Sequence, residues 1–262
     1  MRETITRRQA LTITFAGAVI VYLLWNVDFL SFMAYPFRLF VTYIHEAGHS
    51  LMAIITGGKV IQFTVSPDGS GLATTAGGSR ALILPAGYVG AAFFGAILFY
   101  MINRHTRFIR AIGGVLGVFL VVFTLLFARP DEGNALTAVI VGLVVGFTLL
   151  QLAWKGSLQL NLLILSVLAI MTALNAVLDL VTLIRYADMQ MIGGSGIVRN
   201  DAAAFSAEIA GGFLPASVWA FIWAGIALSM CGASVYYSLL RSGKLKDDIK
   251  TDSDGEIDFS QF

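Results

Sequence analysis

Apolar residues fall along this chain in long unbroken runs, at approximately residues 10–27, 37–56, 81–102, 111–128, 135–154, 158–184 and 215–240. A helix needs roughly 17 to 25 mostly apolar residues to cross a bilayer, so the pattern predicts a bundle of about six to seven spans. The first run follows the basic start "RETITRRQALTITFAG", which carries the pair Arg7 and Arg8. No small-x-small cleavage site comes after it, and the run passes through "VYLLW" into "FLSFMAYPF", as an anchoring span does and a cleaved leader does not. Two connections are long enough to hold structure. In "GGKVIQFTVSPDGSGLATTAGGSR", residues 57–80, Val60, Gln62 and Thr64 alternate with Ile61, Phe63 and Val65 before the turn signal "PDGSG", which predicts a β-hairpin. In residues 185–214, Asn200 or Asp201 can cap a short helix within "RNDAAAFSAEIAGGF".

Composition gives the same class. With 57% hydrophobic and 13% charged residues and a mean hydropathy of +0.81, the chain is not an ordinary soluble domain. The expected fold is an all-α membrane protein, a multipass transmembrane helix bundle with a short β-hairpin after its second span. Residues 1–240 form one integral membrane domain and residues 241–262 a polar, disordered tail. A formal net charge of +1 leaves no basic surplus for nucleic acid, which is excluded as a partner; the lipid bilayer is the expected one. Cys231 is the single cysteine, so an intrachain disulfide and a thiolate metal cage are both excluded, and any metal must use nitrogen and oxygen ligands. Small residues recur at four-residue spacing (Gly87, Ala91 and Gly95; Gly113 and Gly117; Gly142 and Gly146), which lets helices approach closely in lipid. Arginine and lysine divide eight against nine between the two sides of a seven-span topology and set no orientation. In the tail, "KTDSDGEIDFSQF" is a degenerate calcium loop: Asp252, Asp254, Gly255 and Ile257 match, but Lys250 and Gln261 stand where ligands belong. A solvated acidic tail is the reading adopted.

The candidate chemistry lies in the second run, "FVTYIHEAGHSLMAIITGG". On a helix, residues i and i+4 share a face, so His45 and His49 can present both imidazoles to one ion with Glu46 beside them. With three histidines and five glutamates in the chain, H-E-x-x-H arises by chance on the order of once in a thousand such sequences, so a packing accident is set aside. The pattern reads as a two-histidine zinc site whose carboxylate takes a proton from bound water and passes it to a leaving amine. Catalytic zinc needs a third protein ligand and an open position. The remaining histidine, His105, lies in the polar "NRHTR", and Asp179 is the aspartate well inside an apolar run, "MTALNAVLDLVTLI". The second and sixth runs point the same way through the bilayer, and His49 and Asp179 differ in depth by about one helical turn. Asp179 is therefore the expected third ligand, with a carboxylate bonded to nearby hydroxyls as the plain alternative. Asn175, one turn earlier, either orients Asp179, binds a substrate carbonyl or makes an ordinary interhelical hydrogen bond.

These residues resemble the site-2 protease family of intramembrane zinc metalloproteases, in particular its bacterial B-like branch. The resemblance runs from "YIHEAGHSLMAIITGGKV" through "LPAGYVGAAFFGA" to "NAVLDL", and on to "NDAAAFSAEI" and "VWAFIW". It implies one zinc ion (Zn2+) held by His45, His49 and Asp179, Glu46 as general base, and substrates cleaved in or beside their transmembrane helix. The chain departs from the family's longer aspartate motif: Leu180 follows Asp179 where a glycine is usual, there is no upstream proline, and no PDZ-like insertion is present. A metal-binding membrane protein without proteolytic activity, in transport, in a structural role or as a pseudoprotease, is the alternative. The expected location is integral to a membrane, the inner membrane if the source is bacterial. A helical substrate must be unwound before its peptide bond is reachable, and the edge of the hairpin can hold the unwound strand or be a mere connector.

Overall fold

The computed structural model describes residues 5–129, 135–186, 191–193, 196–198 and 200–240. The calcium-loop-like tail lies outside these residues. Every apolar run becomes a helix: α1 (Arg7–Asn26), α2 (Ser31–Ile55), the pair α3 (Arg80–Ala86) and α4 (Tyr88–Arg104), α5 (Ile109–Phe127), α6 (Ala135–Lys155), α7 (Leu158–Tyr186) and α9 (Ala216–Val235). Between α2 and α3 the chain forms the antiparallel strands β1 (Lys59–Val65) and β2 (Gly71–Ala76). Between α7 and α9 lie the short paired strands β3 (Met191–Gly193) and β4 (Gly196–Val198), which the sequence pattern did not predict, and the short helix α8 (Asp201–Glu208), which it did.

Among the described residues five helices are long and apolar enough to cross a membrane, and the α3–α4 pair, bent by 56°, makes a sixth. The apolar run at 81–102 is thus broken where a straight span was expected. Pro85 and Gly87 supply the reason, since proline removes a helix hydrogen bond and glycine tolerates the changed direction. The α2 helix, which carries Arg38 and Glu46, is not among those six; it packs against α1, α3, α4, α6, α7 and both strands.

Glycines set the closest helix contacts. Gly117 of α5 faces Gly146 of α6 so tightly that a Cβ on Gly117 would lie 2.8 Å from the Gly146 carbonyl oxygen. Gly95 of α4 meets α7 in the same way, 2.6 Å from the Ala173 amide nitrogen. Backbones this close gain dispersion contacts that lipid cannot offer. Thr14 of α1 donates a hydrogen bond to Asn103 of α4 at 2.7 Å, tying a third helix to these.

The hairpin folds back onto α2 instead of standing free. Phe63 and Val65 are buried, and Phe63 stacks edge-on against Tyr43 of α2 and Phe123 of α5 at 4.9 and 5.2 Å. Tyr43 is fixed in turn by a 2.7 Å hydrogen bond with Thr124. At the turn, Gly69 takes φ +92°, and Asp68 accepts hydrogen bonds from the amide and hydroxyl of Ser70 at 2.9 and 2.7 Å. This is the chemistry that "PDGSG" encodes.

Candidate metal centre

The centre is built on α2, where His45 and His49 lie one turn apart and His49 and Glu46 are both only 7% exposed. Two glycines let other backbone reach them. A Cβ on Gly48 would collide with the Ala86 carbonyl, so the end of α3 rests directly on α2. That contact brings the Ile83 carbonyl to His49 Nδ1, which donates a 2.7 Å hydrogen bond to it. A carbonyl only accepts, so the proton sits on Nδ1 and the neutral ring offers the lone pair of Nε2, as a metal ligand requires. Gly87 lies at the bend between α3 and α4, and a Cβ there would collide with Nε2 of both histidines. This glycine is the roof of the site.

The third group comes from α8. Asn200, not Asp201, caps that helix, its side chain accepting from the Ala203 amide at 2.9 Å. Asp201 is left free to turn inward, and its Oδ2 stands 3.3 Å from His49 Nε2 and 3.6 Å from His45 Nε2, which are themselves 3.1 Å apart. The α8 helix is anchored by Phe205 against Trp219 and Trp223 of α9, at 4.7 and 5.5 Å, and by Arg80 of α3, which pairs with Glu208 at 2.7 Å.

Four-coordinate zinc with bonds near 2.0–2.2 Å separates its ligand atoms by about 3.3–3.6 Å. The two carboxylate distances here fall in that range and the distance between the imidazoles is slightly shorter. Three electron-rich atoms converging this closely are poorly compensated by one another, and a divalent cation is the group that fits among them. His45, His49 and Asp201 are the described residues that could hold a metal ion together.

Glu46 interacts electrostatically with all three of these groups and rests against β2. Its carboxylate accepts a hydrogen bond from the backbone of Ala73, and a Cβ on Gly71 would lie 2.6 Å from Glu46 Oε1. Asp179, the aspartate expected as third ligand, is exposed on α7 and is not one of the three converging groups, although it interacts electrostatically with His45. Asn175 spends its amide N–H on the Met171 carbonyl of its own helix at 2.8 Å. His105 is exposed at the end of α4, as its polar surroundings suggested. Sequence reasoning placed Asp201 only as a candidate helix cap, because it lies outside every apolar run; the signal available was its position in "NDAAAFSAEI".

A membrane-embedded helical bundle whose two-histidine helix meets a carboxylate, with a glutamate alongside, has the architecture of a membrane metallopeptidase. The Peptidase M50B-like family model matches residues 14–234, and the chain belongs to that family, of the site-2 protease type. Its members are zinc metallopeptidases and multipass membrane proteins, and this chain is an integral membrane protein. No curated protein and no solved structure matches it.

Proposed function

We propose that this protein is an intramembrane zinc endopeptidase in which His45, His49 and Asp201 hold the metal and Glu46 is the general base. The observation that carries the reading is the convergence of the two Nε2 atoms and Asp201 Oδ2 at 3.1 to 3.6 Å beside a buried glutamate. Asp201 takes the position that the sequence had suggested for Asp179, which in this reading stands next to the centre.

A bound zinc ion would polarise the scissile carbonyl and make water acidic enough to be deprotonated near neutral pH. Glu46 takes that proton and later gives it to the leaving amine. Its carboxylate is held for this by Ala73, and the burial of Glu46 and His49 keeps competing water away. The Ile83 carbonyl fixes the His49 ring and its tautomer.

The substrate is a membrane protein, cut in or beside a transmembrane segment after local unwinding. The sheet of β1 and β2 has two strands, so β2 has an edge that β1 does not pair, and its Ala73 is also the residue that reaches Glu46. An unwound substrate strand added there would run past the base, with main-chain hydrogen bonds supplying affinity without demanding a particular sequence. Glu46→Gln is the test. Purified in detergent with a labelled transmembrane segment, the variant should keep one zinc per chain and lose cleavage by about 1,000-fold or more. Undiminished cleavage would remove Glu46 from the chemistry, and a protein that binds zinc with no cleavage even in the wild type would favour a metal-binding role alone.

A further inference from the structure

Tyr88 opens α4 directly after Gly87, so the backbone turn that brings the glycine against both imidazoles also sets a phenol beside them. Its ring stands edge-on to His45, with centroids 4.5 Å apart and planes at 79°. The ring packs in part on the core, and its hydroxyl, which is not sealed off from solvent, makes no hydrogen bond among the described residues. The carboxylates of Asp201, Asp179 and Glu46 all act electrostatically on that hydroxyl.

The hydroxyl is open to an arriving group, and none of these carboxylates accepts a hydrogen bond from it. A donor kept free next to a hydrolytic centre has a partner in the reaction itself, because peptide hydrolysis creates a new acceptor, the carbonyl oxygen as it becomes an oxyanion. Preorganised donors aimed at developing charge are among the largest contributions to catalysis.

We propose that Tyr88 is a catalytic residue whose O–H donates a hydrogen bond to the scissile carbonyl oxygen as negative charge develops on it; this rests on the endopeptidase reading above. Water adds to the carbonyl carbon, its proton goes to Glu46, and the C=O π pair moves onto oxygen. Collapse returns that pair, breaks the C–N bond and delivers the Glu46 proton to the amine. Tyr88 keeps its own proton throughout, so the balance of hydrolysis is unchanged. The edge-on contact with His45 holds the ring while leaving the hydroxyl end free to meet the substrate.

The test compares Tyr88→Phe with wild type and Glu46→Gln, using a fluorophore-labelled transmembrane peptide for cleavage and calorimetry for binding. The binding probes are a phosphinic peptide, which mimics the tetrahedral carbon, and the same peptide with its amide intact. Tyr88→Phe should lower kcat about 100-fold and weaken the phosphinic peptide by a similar factor. KM, affinity for the amide peptide and zinc per chain should stay at wild-type values. Wild-type kcat and phosphinic affinity in Tyr88→Phe overturn the proposal. Loss of zinc from Tyr88→Phe overturns it too, in favour of a packing role beside His45. If wild-type protein cleaves nothing, the endopeptidase reading falls on its own, and the phosphinic comparison still decides Tyr88: equal affinity in the two proteins overturns its role as a donor.

Discussion

Gly87→Ala should empty the metal centre while leaving the fold intact. The added methyl would collide with Nε2 of His45 and of His49 and would lie 2.5 Å from His45 Cε1. Ordinary carbon contacts begin near 3.5 Å, so the imidazoles and the α3–α4 bend must separate by about 1 Å. Metal sites tolerate deviations of only about 0.2 Å in ligand distance, so both histidines cannot remain ligands. A misplacement of about 1 Å at a reacting centre costs on the order of 100-fold, which is about 2.7 kcal/mol of transition-state stabilisation. The α2 helix keeps its other supports, the Tyr43–Thr124 hydrogen bond and the Phe63 contact, so the thermal midpoint should fall to that of metal-stripped wild type and no further. The assay is zinc per chain by elemental analysis of detergent-purified protein, with cleavage and thermal unfolding measured on the same sample. Gly225→Ala on α9, where a new Cβ meets nothing within 4 Å, is the control and should match wild type. Full zinc occupancy and cleavage in Gly87→Ala would refute the close approach of this backbone to the histidines.

Gly71→Ala should separate the base from the metal: its Cβ would press on Glu46 Oε1 at 2.6 Å and leave the histidines untouched, so kcat should fall about 10-fold or more with zinc retained. Loss of zinc in that variant would mean that Glu46 and the ligands do not move independently. Gly117→Val should act on the bundle alone, since its Cβ would meet Gly146 backbone at 2.8 Å; overpacking of this kind costs about 1–3 kcal/mol and would appear as a lowered unfolding midpoint. An unchanged midpoint would show that α5 and α6 can separate freely there.

Much of this fold was legible because a span writes itself as an apolar run and a hairpin as alternation closed by a turn signal. Residues 57–80 carried both signals, and β1 and β2 lie within them. His45, Glu46 and His49 were legible because one helical turn brings them together and their spacing is local. Asp201 was not, since it reaches His49 across 152 positions of sequence and no periodicity encodes such a contact. Reasoning by depth within apolar runs favoured Asp179, whereas the converging carboxylate comes from a short helix outside the spans, anchored by Phe205 and Arg80. Gly87 shows the other kind of miss. Its spacing from Ala91 and Gly95 is that of a helix-packing face, and Gly95 serves that purpose against α7. Gly87 itself packs against imidazoles, a difference that spacing cannot express.

The most direct test of the metal centre is the zinc content of two variants, Asp201→Ala and Asp179→Ala, beside wild type. One zinc per chain in wild type, retained in Asp179→Ala and lost in Asp201→Ala, is the expected result. Zinc retained in Asp201→Ala and lost in Asp179→Ala would contradict the assignment and return the third ligand to α7.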